Sequence, residues 1–134
     1  MKIAVLAIIA AITFTGCGQK LDLLALRKAV AKKEVITLKD FTAFPWDRVH
    51  IFAPYTPPEA IAKEVGKAVP FPHQNSEGYC LLVFMASNSV TASLEIGRSD
   101  ADFSTLYRSG GYRPEEAVFT IEEGSDGWKK LKNG

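Results

Sequence analysis

The sequence predicts an α+β domain, a small antiparallel sheet with one or two helices packed on one face. Three observations carry this prediction. β-Branched and alternating apolar segments dominate after residue 35. Residues 79–86 and 90–96 read as two strands separated by Ser87-Asn88-Ser89, which is a hairpin. Helix-like segments flank the strands and connections are short, which suits an antiparallel sheet covered by helices.

Leu21, Leu24, Leu26, Ala29 and Val30 recur near helical spacing, with Lys28, Lys32 and Lys33 on other faces, and predict a helix over 21–33. Val35-Ile36-Thr37-Leu38 is a short β-branched strand. Residues 48–53 read as a strand that Pro54 ends. Thr56 then offers an N-cap, Pro57 the first helical position and Glu59 the third, a capping-box arrangement that satisfies orphan amide donors. Gly66 stands where a glycine past the C-terminus belongs, so this helix covers 57–65 with Ile61, Ala62 and Val65 inward. Residues 67–78, with Pro70, Pro72, Asn75, Ser76 and Gly78, form a loop. The run 79–86 is apolar on both faces, as a central strand requires, whereas Val90, Ala92, Leu94 and Ile96 alternate with polar residues on a half-exposed strand. Ser99 to Arg113 is polar and Gly-containing, with a short helical turn near 101–107. Residues 117–122 form a last strand, and 124–134 read as a frayed tail. The expected organisation is therefore an export signal at 1–16, a tether at 17–20, a single domain at 21–123 and the tail.

The 134 residues are one domain's worth of chain, and at 47% hydrophobic they are too apolar for a disordered protein. Lys and Arg number 16 against 15 Asp and Glu, and removing residues 1–16 takes away only Lys2. Neutralising a phosphate backbone needs a basic surplus, so this balance argues against a nucleic-acid partner. At the N-terminus, Met1-Lys2 precedes an apolar run from Ile3 to Phe14 broken only by Thr13. Its roughly 12 residues match the apolar region of an export signal, whereas a spanning helix needs about 20.

Phe14-Thr15-Gly16-Cys17 follows. Small residues before a cysteine at this place resemble the lipobox of bacterial lipoprotein precursors, with Phe14 where leucine is usual. The resemblance implies a diacylglyceryl group on the Cys17 thiol, cleavage before Cys17 and often acylation of the new amino group. Gly18 stands where an aspartate commonly signals retention in the inner membrane. Its presence therefore implies an anchor on the periplasmic face of the outer membrane in a Gram-negative cell. An ordinary secretory signal cut near Gly16 or Gly18 is the alternative. With Cys17 lipidated, Cys80 is the one remaining cysteine, and its apolar run Tyr79–Ala86 points to a buried, inert thiol.

Candidate functional residues are few. Phe41, Phe44, Trp46, Phe52 and Tyr55 either fill the core or line a ligand groove. The segment Trp46-Asp47-Arg48-Val49-His50-Ile51-Phe52-Ala53-Pro54-Tyr55-Thr56-Pro57, with Ala117-Val118-Phe119, resembles uncharacterised small bacterial envelope proteins and implies no activity or site residue. His50 and His73 can be drawn into a triad with Asp47, but no serine sits in Gly-x-Ser-x-Gly. Asp100 and Asp102 lack the glycine and terminal glutamate of a calcium loop, so neither metal nor cofactor is expected. Arg108-Ser109-Gly110-Gly111-Tyr112-Arg113 either presents glycine amides and two arginines to an anion or is a plain surface turn. Phe71, held between Pro70 and Pro72, either docks a partner on a stiff loop or packs onto the domain.

These readings lead to one expectation and two alternatives. The expectation is a membrane-tethered, non-enzymatic binding module, an inhibitor or immunity-type factor, that contacts another envelope protein through Phe71, Arg108, Arg113 and Trp46. No residue is expected to be catalytic, and replacing either histidine should be close to neutral. A small envelope hydrolase using His50 or His73 is the first alternative, which a deep polar cleft holding a histidine beside a carboxylate would favour. A carrier of a small ligand in the aromatic region 41–55 is the second, which a large apolar cavity would favour.

Overall fold

A computed structural model describes residues 20–134. The expected export signal and Cys17 lie outside the described residues. Helix α1 runs Leu23–Ala31, capped by Asp22, whose carboxylate accepts the Ala25 amide at 3.1 Å. Strand β1 (Ile36–Thr37) leads into a single 3-10 turn, Leu38–Phe41. Then come β2 (Arg48–Phe52), α2 (Pro58–Val65), β3 (Tyr79–Ala86), β4 (Ser89–Gly97), β5 (Val118–Glu123) and β6 (Lys129–Asn133). They form two antiparallel three-stranded sheets, ordered β2-β3-β4 and β1-β5-β6. The α+β class holds.

Strand β3 organises the core because both of its faces are apolar. Cys80, Leu82 and Phe84 join Val49 and Ile51 of β2 on one face. That face meets Leu26 and Val30 of α1 and Ile36, Phe119 and Leu131 of the second sheet. Leu81, Val83 and Met85 point the other way with Phe52 and meet Ile61 and Val65 of α2. A strand apolar on both sides needs cover on both sides. The refinement to the expected architecture is therefore one helix on each face of the β2-β3-β4 sheet.

Several elements differ from expectation. The capping box at Thr56 does not form. Pro57 has extended backbone (φ −66°, ψ 148°) because Pro58 follows it, and a residue before proline is disfavoured in the helical region. The helix therefore starts one residue late, and the Thr56 hydroxyl donates to the Ala53 carbonyl at 2.6 Å instead. At its other end Gly66 is left-handed (φ 96°), as expected of a C-terminal glycine. The hairpin closes through only Ser87 and Asn88, both at positive φ, with Ala86 opposite Ser89.

Residues 124–134 are not a frayed tail. They carry β6, paired along its length with β5, and Leu131 is fully buried. The remaining residues of the strand, Lys129, Lys130, Lys132 and Asn133, are polar, so one inward leucine is the whole apolar signal. The segment 99–113 contains no helical turn, and it is not a solvated loop. Ala101, Asp102, Phe103, Leu106 and Tyr112 are buried. Asp102 bonds the backbone of Lys129 and Leu131, and Tyr112 exchanges both backbone bonds with Val49 at 2.8 Å. This irregular stretch thus fastens one sheet to the other.

Candidate functional site

Strand β2 alternates, so Arg48, His50 and Phe52 face α2 while Val49 and Ile51 face the main core. His50 is buried, at 6% exposure. Two elements close around it. From α2, Glu64 brings a carboxylate oxygen to 3.5 Å from His50 Nδ1. From the loop before Tyr112, Gly110 and Gly111 lie against the strand. The Val49–Tyr112 bridge places Gly111 so close that a Cβ there would stand 2.5 Å from the Val49 carbonyl oxygen and 3.0 Å from His50 Nδ1. With φ at +69°, only glycine meets both conditions.

Hydrogen bonds hold this arrangement. Glu64 accepts the Gly110 amide and, at 3.3 Å, the Tyr107 hydroxyl. Arg48 donates to the Gly110 carbonyl at 2.6 Å. A cavity of about 450 Å³ opens beside them, with Asp47, Arg48, His50, Glu64, Asn88 and Gly110 in its wall. His50 Nδ1 has no hydrogen-bond partner among the described residues. Burial lowers the imidazole pKa from its ordinary 6.5, the Glu64 carboxylate opposes that shift and Arg48 reinforces it. The ring is therefore neutral at pH 7, able to donate from one nitrogen and accept at the other.

The shift has a sign that can be checked. Above pH 6.5 His50 is neutral folded or unfolded. As pH falls below 6.5, the unfolded chain takes up the proton first, so stability declines until the folded-state value is passed. Urea unfolding between pH 7.5 and 5 is expected to show this decline in the wild type and a smaller one in His50→Gln. Equal slopes would contradict the assignment.

The cavity presents a guanidinium, a neutral imidazole and a side-chain amide beside two carboxylates. It suits a hydrogen-bonding group of mixed polarity. Among its wall residues, including the apolar Val65 and Met85, none carries a hydroxyl or thiol. A second opening of about 410 Å³ lies across Tyr107, lined by Phe52, Ala53, Thr56 and Ala60. Of the aromatic residues in region 41–55, only Phe52 reaches it. Phe44 and Trp46 pack edge-on against Phe84 on the opposite face of the sheet.

The residues expected to bind a partner do not form one surface. Trp46 is buried, and its indole N–H donates to the Thr42 hydroxyl at 2.9 Å, so it is a core residue and not a contact. Phe71 is half-buried against the cluster formed with α2. Arg108 lies over the Tyr112 ring at 4.3 Å, donates to the Gly111 carbonyl at 3.0 Å and pairs with Glu116 at 2.9 Å. Arg113 is exposed and pairs with Glu115 and Glu116. The two arginines meet at Glu116, away from the cavity wall, where they hold the loop. His73 is also tied to a carboxylate, at 2.8 Å from Glu95, and its ring stacks on Tyr79. Asp102, weighed in the sequence as half of a metal pair, binds Arg98 through both oxygens. The Cys80 thiol is fully buried and its pKa is pushed up to about 12, chiefly by burial, which makes it inert.

The Gly110-Gly111 doublet was visible in the sequence, but His50, Glu64 and Arg48 were not visible as a group. Comparison with protein-family models, with curated proteins and with solved structures gives no match to this chain.

Proposed function

We propose that this chain is a lipid-anchored protein of the bacterial envelope, in a Gram-negative cell on the periplasmic face of the outer membrane. It binds a protein partner without catalysing a reaction, as an inhibitor or immunity-type factor does, and the polar cavity around His50 is the centre of contact. The lipid on Cys17 rests on the lipobox resemblance. The binding reading is supported by one observation above others: an open polar cavity whose wall sets Arg48, His50 and Asn88 beside the carboxylates of Asp47 and Glu64. The wall has no hydroxyl or thiol to serve as a nucleophile, which favours binding over covalent catalysis.

A photo-crosslinking amino acid at Asn88, on the cavity rim, tests this in native membranes. A discrete adduct is expected there, absent from the same probe at Glu122 on the second sheet and weakened by Arg48→Ala. No rim-specific adduct would count against the cavity as the contact. Cys17→Ser is expected to move the protein from the membrane fraction to the soluble one, or to leave it unprocessed. An unmodified Cys17 in the mass of the native mature protein would overturn the anchor.

The hydrolase reading gains from the His50–Glu64 pair, because a carboxylate beside a neutral histidine is the arrangement that orients a general base. The attacking group would then be water. Turnover of an envelope substrate that is lost in His50→Gln, at unchanged thermal stability, would replace the binding reading with this one.

A further inference from the structure

We infer that the outer side of α1 rests on an anionic phospholipid surface and so turns the His50 cavity away from the membrane. The inference rests on the lipid anchor proposed above and adds which face of the domain meets the bilayer. Leu24, Lys28 and Lys32 follow one another at intervals of four residues along one side of α1 and its C-terminal cap, and Lys20 lies just before the helix. All four are exposed, and Leu24, at 61%, is one of the few large apolar side chains left in solvent. Among the described residues none of the three lysines has an ion-pair partner. Of the neighbouring acids, Asp22 caps the helix, Asp100 pairs with Arg27 at 3.1 Å, Glu95 pairs with His73 and Glu34 lies beyond the C-terminal end, while exposed Asp40 shares a surface opening with Lys20 alone of the three. A lysine stripe with a leucine inside it has the chemistry of a helix side that lies among lipid headgroups.

The expected tether is short. Only Gly18, Gln19 and Lys20 separate Cys17 from the domain, and three extended residues span about 10 Å. The side of the domain that carries Lys20 is therefore held at the headgroups whenever Cys17 is acylated. Lys20 and Leu21 also lie beside residues 93–96 of β4, the sheet edge opposite β2. The cavity is built on β2 and on the other face of the sheet, under α2. Lys20, where the tether joins the domain, and the cavity are thus at opposite edges and on opposite faces. The bilayer takes one, and the other points into the periplasm.

The full-length lipidated protein, reconstituted in vesicles of phosphatidylethanolamine with phosphatidylglycerol, provides the test. Nitroxide labels are placed at Leu24→Cys or Asn88→Cys, where buried Cys80 does not compete for reagent. Accessibility to dissolved oxygen, relative to a water-soluble nickel complex, is expected to be several-fold higher at position 24 than at 88. The triple variant Lys20→Glu, Lys28→Glu, Lys32→Glu, with circular dichroism unchanged, is expected to lose that difference while still sedimenting with the vesicles through its lipid. Lipidated protein with both labels equally exposed to nickel would overturn this orientation and leave the anchor standing. So would a charge-reversed variant that keeps its contact at position 24. A mass showing no lipid on Cys17 would overturn the anchor and the orientation together.

Discussion

Asp102→Ala is expected to lower folding stability by about 3–5 kcal/mol, because it removes one partner of a buried ion pair and strands the other. Asp102 is fully buried. Arg98 donates to its two oxygens at 3.0 and 3.1 Å, the Ser104 amide donates at 3.0 Å and Lys130 approaches to 3.4 Å. The guanidinium is itself buried beneath the Trp128 ring, 4.3 Å from its centre. Its other carboxylate neighbours, Glu77 at 3.9 Å and Asp126 at 3.7 Å, are too distant and too exposed to replace what alanine deletes. The loss also falls where the sheets are joined, since the Asp102 backbone bonds Lys129 and Leu131 of β6. Urea unfolding at pH 7 is the measurement, and a loss below about 1 kcal/mol would show that Arg98 finds solvent or another partner.

The same pair makes an acid-range prediction. Burial pushes the Asp102 pKa up, but the bonds from Arg98 and Ser104 outweigh it and hold the carboxyl below its ordinary 3.8. A depressed carboxylate stabilises the fold above the unfolded value, and that contribution is lost as pH falls through the folded one. Wild-type stability should therefore fall below pH 3.8, and Asp102→Asn should lose this part of the slope. Asparagine keeps the shape and an acceptor for Arg98, so its cost at pH 7 should be smaller than that of alanine.

What could be read in advance followed from periodicity. The 79–97 hairpin, the buried stripe of α1 and the glycine stop of α2 each leave a regular pattern within a single element. The missed features have no such pattern. In β6 the inward position Leu131 stands alone among lysines, and the pairing with Glu122 and Glu123 that organises those lysines lies in another strand. In 99–113 the buried residues are irregularly spaced, because their backbone bonds go to distant strands and not to one another. Trp46, Arg108 and Arg113 were weighed for binding by residue type, and residue type does not distinguish an indole packed on Phe84 from one that meets a partner. The His50–Glu64 pair is assembled by α2 crossing over β2, a tertiary event. Gly111 of the glycine doublet is the one visible trace of it, since a loop lies against that strand there.

Gly111→Ala tests whether that close approach builds the site. At φ +69° an L-residue costs about 1–2 kcal/mol, and a methyl 2.5 Å from the Val49 carbonyl oxygen requires backbone to move, as overpacking does for about 1–3 kcal/mol more. A total loss of about 2–5 kcal/mol is expected in urea unfolding. Gly110 is an internal control, because it also has positive φ but a Cβ there meets nothing within 4 Å. Gly110→Ala should therefore cost only the conformational part, about 1–2 kcal/mol. The displaced loop carries the Gly110 amide away from Glu64 and its carbonyl away from Arg48, so the two charged walls of the cavity lose what fixes them. Crosslinking from Asn88 should then fall in Gly111→Ala, measured under conditions where the variant is still folded, and persist in Gly110→Ala. If the two alanine variants behave alike in stability and in crosslinking, the contact between Gly111 and β2 does not organise the cavity.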